Sequence, residues 1–85
     1  MDIRGRDPET ESYRVDVDLD GRTVSALVPE RLAADRLLIG ARPSHQTAYV
    51  WIAENQDRIA AAIAKLDSGG RPRAPFDQIV LVGER

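Results

Sequence analysis

The stretch 44–66, SHQTAYVWIAENQDRIAAAIAKL, is the longest part of the chain with a helical apolar period. Ser44 suits its N-cap, because a serine hydroxyl can accept a hydrogen bond from the first turn's backbone N–H groups. Ala48 or Tyr49, then Ile52, Ile59, Ile63 and Leu66, fall on one stripe, with Gln56 in the gap. Alanines at 60, 61, 62 and 64 raise helix propensity and permit close packing. Asn55 is the weak point: the helix runs through it, begins late or kinks there. Gly69–Gly70 is its natural end.

Upstream, Tyr13–Leu19 alternates strictly between apolar and polar residues, the pattern of a strand with one buried face. Asp20–Gly21 follows, a type I′ turn signal, and Arg22–Val28 alternates again with Val24, Ala26 and Val28 in phase. A two-residue turn pairs Leu19 with Arg22, Val17 with Val24, Val15 with Ala26 and Tyr13 with Val28. All the apolar residues then share one face, and a one-residue slip would destroy that agreement.

Pro29 suits the first position of a helix, and Glu30 adds a favourable charge there. A short helix is expected from Pro29 to about Leu38. It would bury Leu32 or Ala33 with Leu37 and Leu38, stop at Gly40 and connect through Ala41–Arg42–Pro43. Downstream, Arg71–Pro72–Arg73–Ala74–Pro75 reads as a stiff loop and 76–82 as a third strand. Its Ile79–Val80–Leu81–Val82 run is apolar on both faces and needs cover on both. Either helices wrap it or a second chain covers it. Residues 1–12 show no periodicity and read as a mobile tail.

The expected fold is therefore α+β, in ββααβ order. A small three-stranded antiparallel or mixed sheet carries a short and a long helix on one face, and residues 13–85 form a single domain.

The core Trp51–Ile52–Ala53–Glu54–Asn55–Gln56–Asp57–Arg58–Ile59–Ala60–Ala61–Ala62–Ile63–Ala64–Lys65, followed by Gly69, Gly70 and Arg71, resembles the small bacterial domain of unknown function family 1488. The likeness spans residues 13–82. It implies a compact bacterial ββααβ domain and brings no activity with it. Where that family often has an aromatic residue on its second strand and a phenylalanine early in its long helix, this chain has Leu27 or Val28 and Tyr49 or Trp51.

Composition narrows the chemistry. The 85 residues contain no cysteine, which removes disulfides, thiol nucleophiles and thiolate metal sites. A cytoplasmic location is expected on that ground. No apolar run approaches a membrane span or a signal peptide. The net charge of −2 offers no global support for nucleic-acid binding.

Asp16, Asp18, Asp20 and Gly21 match the opening of a calcium-binding loop, but the twelfth position, which must be a bidentate glutamate, is Leu27. His45 is the only histidine, with no second histidine or cysteine to build a zinc site. Gly69–Gly70 has neither the preceding strand nor the following Lys-Ser/Thr of a phosphate loop. No catalytic, cofactor-binding or metal-binding residues are assigned.

Two surfaces remain. Trp51 lies off the stripe of Ile52 and Ile59. It either caps the core edge or joins Val80 and Val82 in a partner surface, tryptophan being enriched in interfaces. Arg58, Lys65, Arg71 and Arg73 form a basic helix end, which complements the helix dipole or binds phosphate. The expected function is a non-enzymatic binding or assembly module, acting as a homodimer or with another protein and not at a membrane. The alternative is a nucleic-acid-associated regulator that uses the basic patch.

Overall fold

A computed structural model describes residues 1–36 and 44–82. Four strands form one antiparallel meander in the order β1 (Asp2–Asp7), β2 (Ser12–Leu19), β3 (Arg22–Pro29), β4 (Val80–Leu81). Between β3 and β4 run α1 (Arg31–Arg36), α2 (His45–Glu54) and α3 (Gln56–Asp67), then a 3₁₀ turn at Phe76–Gln78.

The hairpin has the expected register at every pair, from Tyr13–Val28 to Leu19–Arg22. Asp20 and Gly21 both have positive φ, 53° and 83°, as a type I′ turn demands. The inner face of the sheet buries Tyr13, Val15 and Val17 from β2 with Val24, Ala26 and Val28 from β3. Ile52, Ile59 and Ile63 pack on them in the same cluster, and Leu66 lies half-buried at its edge.

Residues 1–12 are not a tail. Asp2–Asp7 adds a fourth strand beside β2, and the register shifts between Ile3 and Gly5. That bulge puts Ile3 opposite Val15 and Arg6 opposite Tyr13, so both reach the inner face. Arg6 then meets Glu30 through two hydrogen bonds, Nη2 to Oε1 at 2.9 Å and Nε to Oε2 at 3.3 Å. An ion pair at the inner face is invisible to a pattern that looks for alternating apolar residues.

The long helix is two helices. Asn55 leaves the helical region, with φ −109° and ψ 18°. Its side-chain Nδ2 donates to the Trp51 carbonyl at 2.8 Å, as asparagine does when it competes with the helical ladder. Ser44 caps α2, its hydroxyl accepting from the Thr47 N–H at 3.1 Å. At the far end the Gly69 N–H donates to the Leu66 carbonyl at 3.0 Å and the Gly70 N–H to the Lys65 carbonyl at 2.8 Å. This is a Schellman motif, with Gly69 at φ 91° in its left-handed position.

Two further boundaries differ from expectation. Pro29 ends β3 opposite Ser12, and the helix begins at Arg31. Glu30 therefore pairs with Arg6 at a buried site rather than standing in the first turn. Leu32 and Ala33 are both buried. The expected roles of Leu37, Leu38, Gly40 and the 41–43 connection lie outside the described residues. The final strand keeps only Val80–Leu81, because Phe76–Gln78 turns as 3₁₀ and Ile79 enters the core.

Candidate functional site

The helices cover one face of the sheet, and the other is open. Side chains directly opposite each other point the same way, so Arg14, Leu27 and Val80 form one outward row across β2, β3 and β4. Val82 follows on the same face, its N–H donating to the Ser25 carbonyl at 2.9 Å. Val80 is 59% exposed, while Leu27 and Val82 are half-buried. A depression of about 430 Å³ reaches from Leu27 and Val82 past Arg14 to Arg4 and Pro8.

The acidic residues of this face hold cross-strand contacts. Asp16 accepts from the Ser25 hydroxyl at 2.6 Å and pairs with Arg4 at 3.6 Å. Asp18 accepts from the Thr23 hydroxyl at 3.1 Å. The three aspartates thus belong to a strand and its turn, and their oxygens do not converge on a common centre.

Trp51 does not belong to this surface. It is 6% exposed and stacks on Phe76, with ring centroids 6.3 Å apart and planes 18° from parallel. The break at Asn55 explains this: α2 turns its own stripe, Ala48, Trp51 and Ile52, to the core independently of α3. Of the two roles open to Trp51, capping the core edge is the one it fills.

On the helical side, Arg58 and Lys65 of α3 line a groove with Pro72, Arg73 and Phe76. Arg71 is exposed nearby but does not line it. Among the described residues the ion pairs are Arg4–Asp16, Arg6–Glu30 and Arg22–Asp67, and none of the four basic-patch residues takes part in them.

A third cluster was not visible in the sequence. The Tyr13 hydroxyl lies 3.0 Å from His45 Nδ1, and the His45 and Tyr49 rings follow at 6.2 Å between centroids. Burial pushes the Tyr13 phenol up from its ordinary value and the Glu30 carboxylate adds to this, while Arg6 acts the other way. The residues lie 32 positions apart, and no local spacing signals the pair. The hydroxyl also donates to the His45 backbone carbonyl at 3.5 Å, so the cluster fastens α2 to the sheet.

None of the described helices is long and apolar enough to cross a membrane. No family model matches the chain, and neither the curated proteins nor the solved structures contain a match to it.

Proposed function

We propose that the chain is a non-enzymatic, cytoplasmic bacterial binding module that pairs with a second copy of itself through the open sheet face. The observation that carries this reading is the outward row Arg14–Leu27–Val80, which ends in a valine 59% exposed on the two-residue edge strand β4. The apolar run 79–82 has helices over its inner side only.

The charges favour a self-complementary contact. The outward row of β2 runs Arg14, Asp16, Asp18, basic at one end and acidic at the other. A two-fold axis through the face sets Arg14 of one copy against the acidic end of its partner. A stable interface removes roughly 800 Å² from each partner, which requires the whole face rather than three apolar side chains. Membership of the bacterial domain of unknown function family 1488, on the Trp51–Lys65 pattern, is part of the same proposal and adds no activity to it.

Sedimentation equilibrium tests it. A mass of twice 9.4 kDa is expected at micromolar concentration. Val80→Asp combined with Leu27→Asp should give the monomer with its circular dichroism intact. Arg14→Asp should weaken association, and adding Asp18→Arg should restore it. A 9.4 kDa species alone at high micromolar concentration would end the proposal.

A further inference from the structure

We infer that the groove between α3 and the 71–78 segment is a binding site for single-stranded nucleic acid. Three cations, Arg58, Lys65 and Arg73, line it without a carboxylate among the lining residues. The chain as a whole carries 14 acidic and 12 basic side chains, so this carboxylate-free lining stands against its average. None of the three takes part in the ion pairs of the described residues.

The fold assembles this cluster. The Schellman turn at Gly69–Gly70 reverses the chain, which brings Arg73 back beside α3. Gly70 lies close against Lys65: an added Cβ would meet its Cγ at 2.9 Å. The lysine stem thus runs along Gly70 as it lines the groove.

The spacing selects an extended polyanion. Arg58 and Lys65 are two turns apart on α3, about 10 Å along its axis at 1.5 Å per residue. A chain of phosphates engages both together more readily than one small anion. Phe76, half-buried and stacked on Trp51, forms with Pro72 and Pro75 an apolar wall next to the cations. A charged track beside an aromatic ring is the arrangement that holds single strands without regard to base identity. At about 550 Å³ the space is an open groove beside α3, so a strand can lie along it without threading an enclosed cavity.

The test is fluorescence anisotropy of a labelled oligothymidylate of about 12 nucleotides, a length within the usual site sizes, against the full chain. Binding is expected at about 25 mM NaCl, with a log–log salt slope near −2 for three neutralised phosphates. Arg58→Ala with Arg73→Ala should weaken it at least about ten-fold at unchanged melting temperature. Lys65→Glu gives an independent measurement should that pair of changes impair folding. Arg22→Ala, at an arginine paired with Asp67 outside the groove, should leave affinity unchanged. The inference is overturned by an absence of binding at low salt, or by an equal loss from Arg22→Ala and the double variant. Displacement by polyglutamate at matched charge would assign the groove to acidic peptides instead and equally overturn it. The groove lies apart from the open sheet face, so either site can fail its test without the other.

Discussion

The hydroxyl of Tyr13 meets Nδ1 of His45 at 3.0 Å, joining the inner face of the sheet to the first residue of α2. With the ring protonated at Nε2, the phenol donates and the imidazole accepts. The Tyr13 side chain is fully buried, and a neutral phenol suits that site better than a phenolate. Its ionisation is therefore pushed above the ordinary value of 10.0, by burial first and by Glu30 second. A raised value means that the folded state holds its proton more tightly than the unfolded one. The associated stability is complete below pH 10 and is lost as pH rises through the folded value. An absorbance titration of a Tyr49→Phe variant should place Tyr13 above 10.0. Tyr13→Phe should cost about 1 kcal/mol at neutral pH, as for one hydrogen bond, and should flatten the alkaline loss.

Arg6 and Glu30 tie the edge strand β1 to the start of α1, with side chains 22% and 8% exposed. Two parallel hydrogen bonds on a buried carboxylate make this contact stronger than a surface ion pair. Arg6→Ala should destabilise the protein by roughly 2–3 kcal/mol, because it removes the guanidinium from a desolvated carboxylate. Arg6→Lys should recover only part of this, since an ammonium cannot make the paired contact. Hydrogen exchange gives the local readout: protection of the β1 amides should fall before that of β2 and β3.

The hairpin was legible because two independent signals agree on it. The period-two pattern of Val15, Val17, Val24 and Ala26 and the Asp20–Gly21 turn specify the same register. Gly21 stands at φ 83°, with nothing within 4 Å of an added Cβ. A substitution there is penalised by backbone conformation alone and not by a clash. Gly21→Val should therefore cost about 1 kcal/mol or more, since β-branched residues resist positive φ. Gly21→Asn should cost much less, because asparagine tolerates that region. Thermal melts of the two variants separate the conformational term from any steric one.

What escaped the sequence has physical causes that can be named. Strand β1 offers a single apolar inner residue, Ile3, and its second inner position is a charge neutralised 24 residues away at Glu30. The exposed side of Val80 was legible, because a run apolar on both faces signals two faces to be covered. The company that Arg73 keeps was not. Its approach to Arg58 depends on the direction in which the chain leaves Gly69, and the spacing of the basic residues in the sequence does not carry that direction.

The break at Asn55 has the largest consequence for a single side chain. In one continuous helix Trp51 sits about 100° from Ile52 around the axis, towards the rim of a stripe centred on Ile52, Ile59 and Ile63. With α2 freed to turn, Trp51 and Ile52 both face inward, 6% and 1% exposed, and the indole gains Phe76 as a stacking partner. Trp51→Ala should then cost about 3–5 kcal/mol, as for a large aromatic lost from a core. A tryptophan at the rim would cost far less. Val50→Ala next to it, at a residue 43% exposed, should stay within about 0.5 kcal/mol. Tryptophan emission supplies a second reading, since Trp51 is the sole indole. It should be blue-shifted in the native protein and move to the red in Phe76→Ala, which opens one face of the ring to water. Native emission at the wavelength of a solvated indole would return Trp51 to the surface and with it the case for a continuous helix.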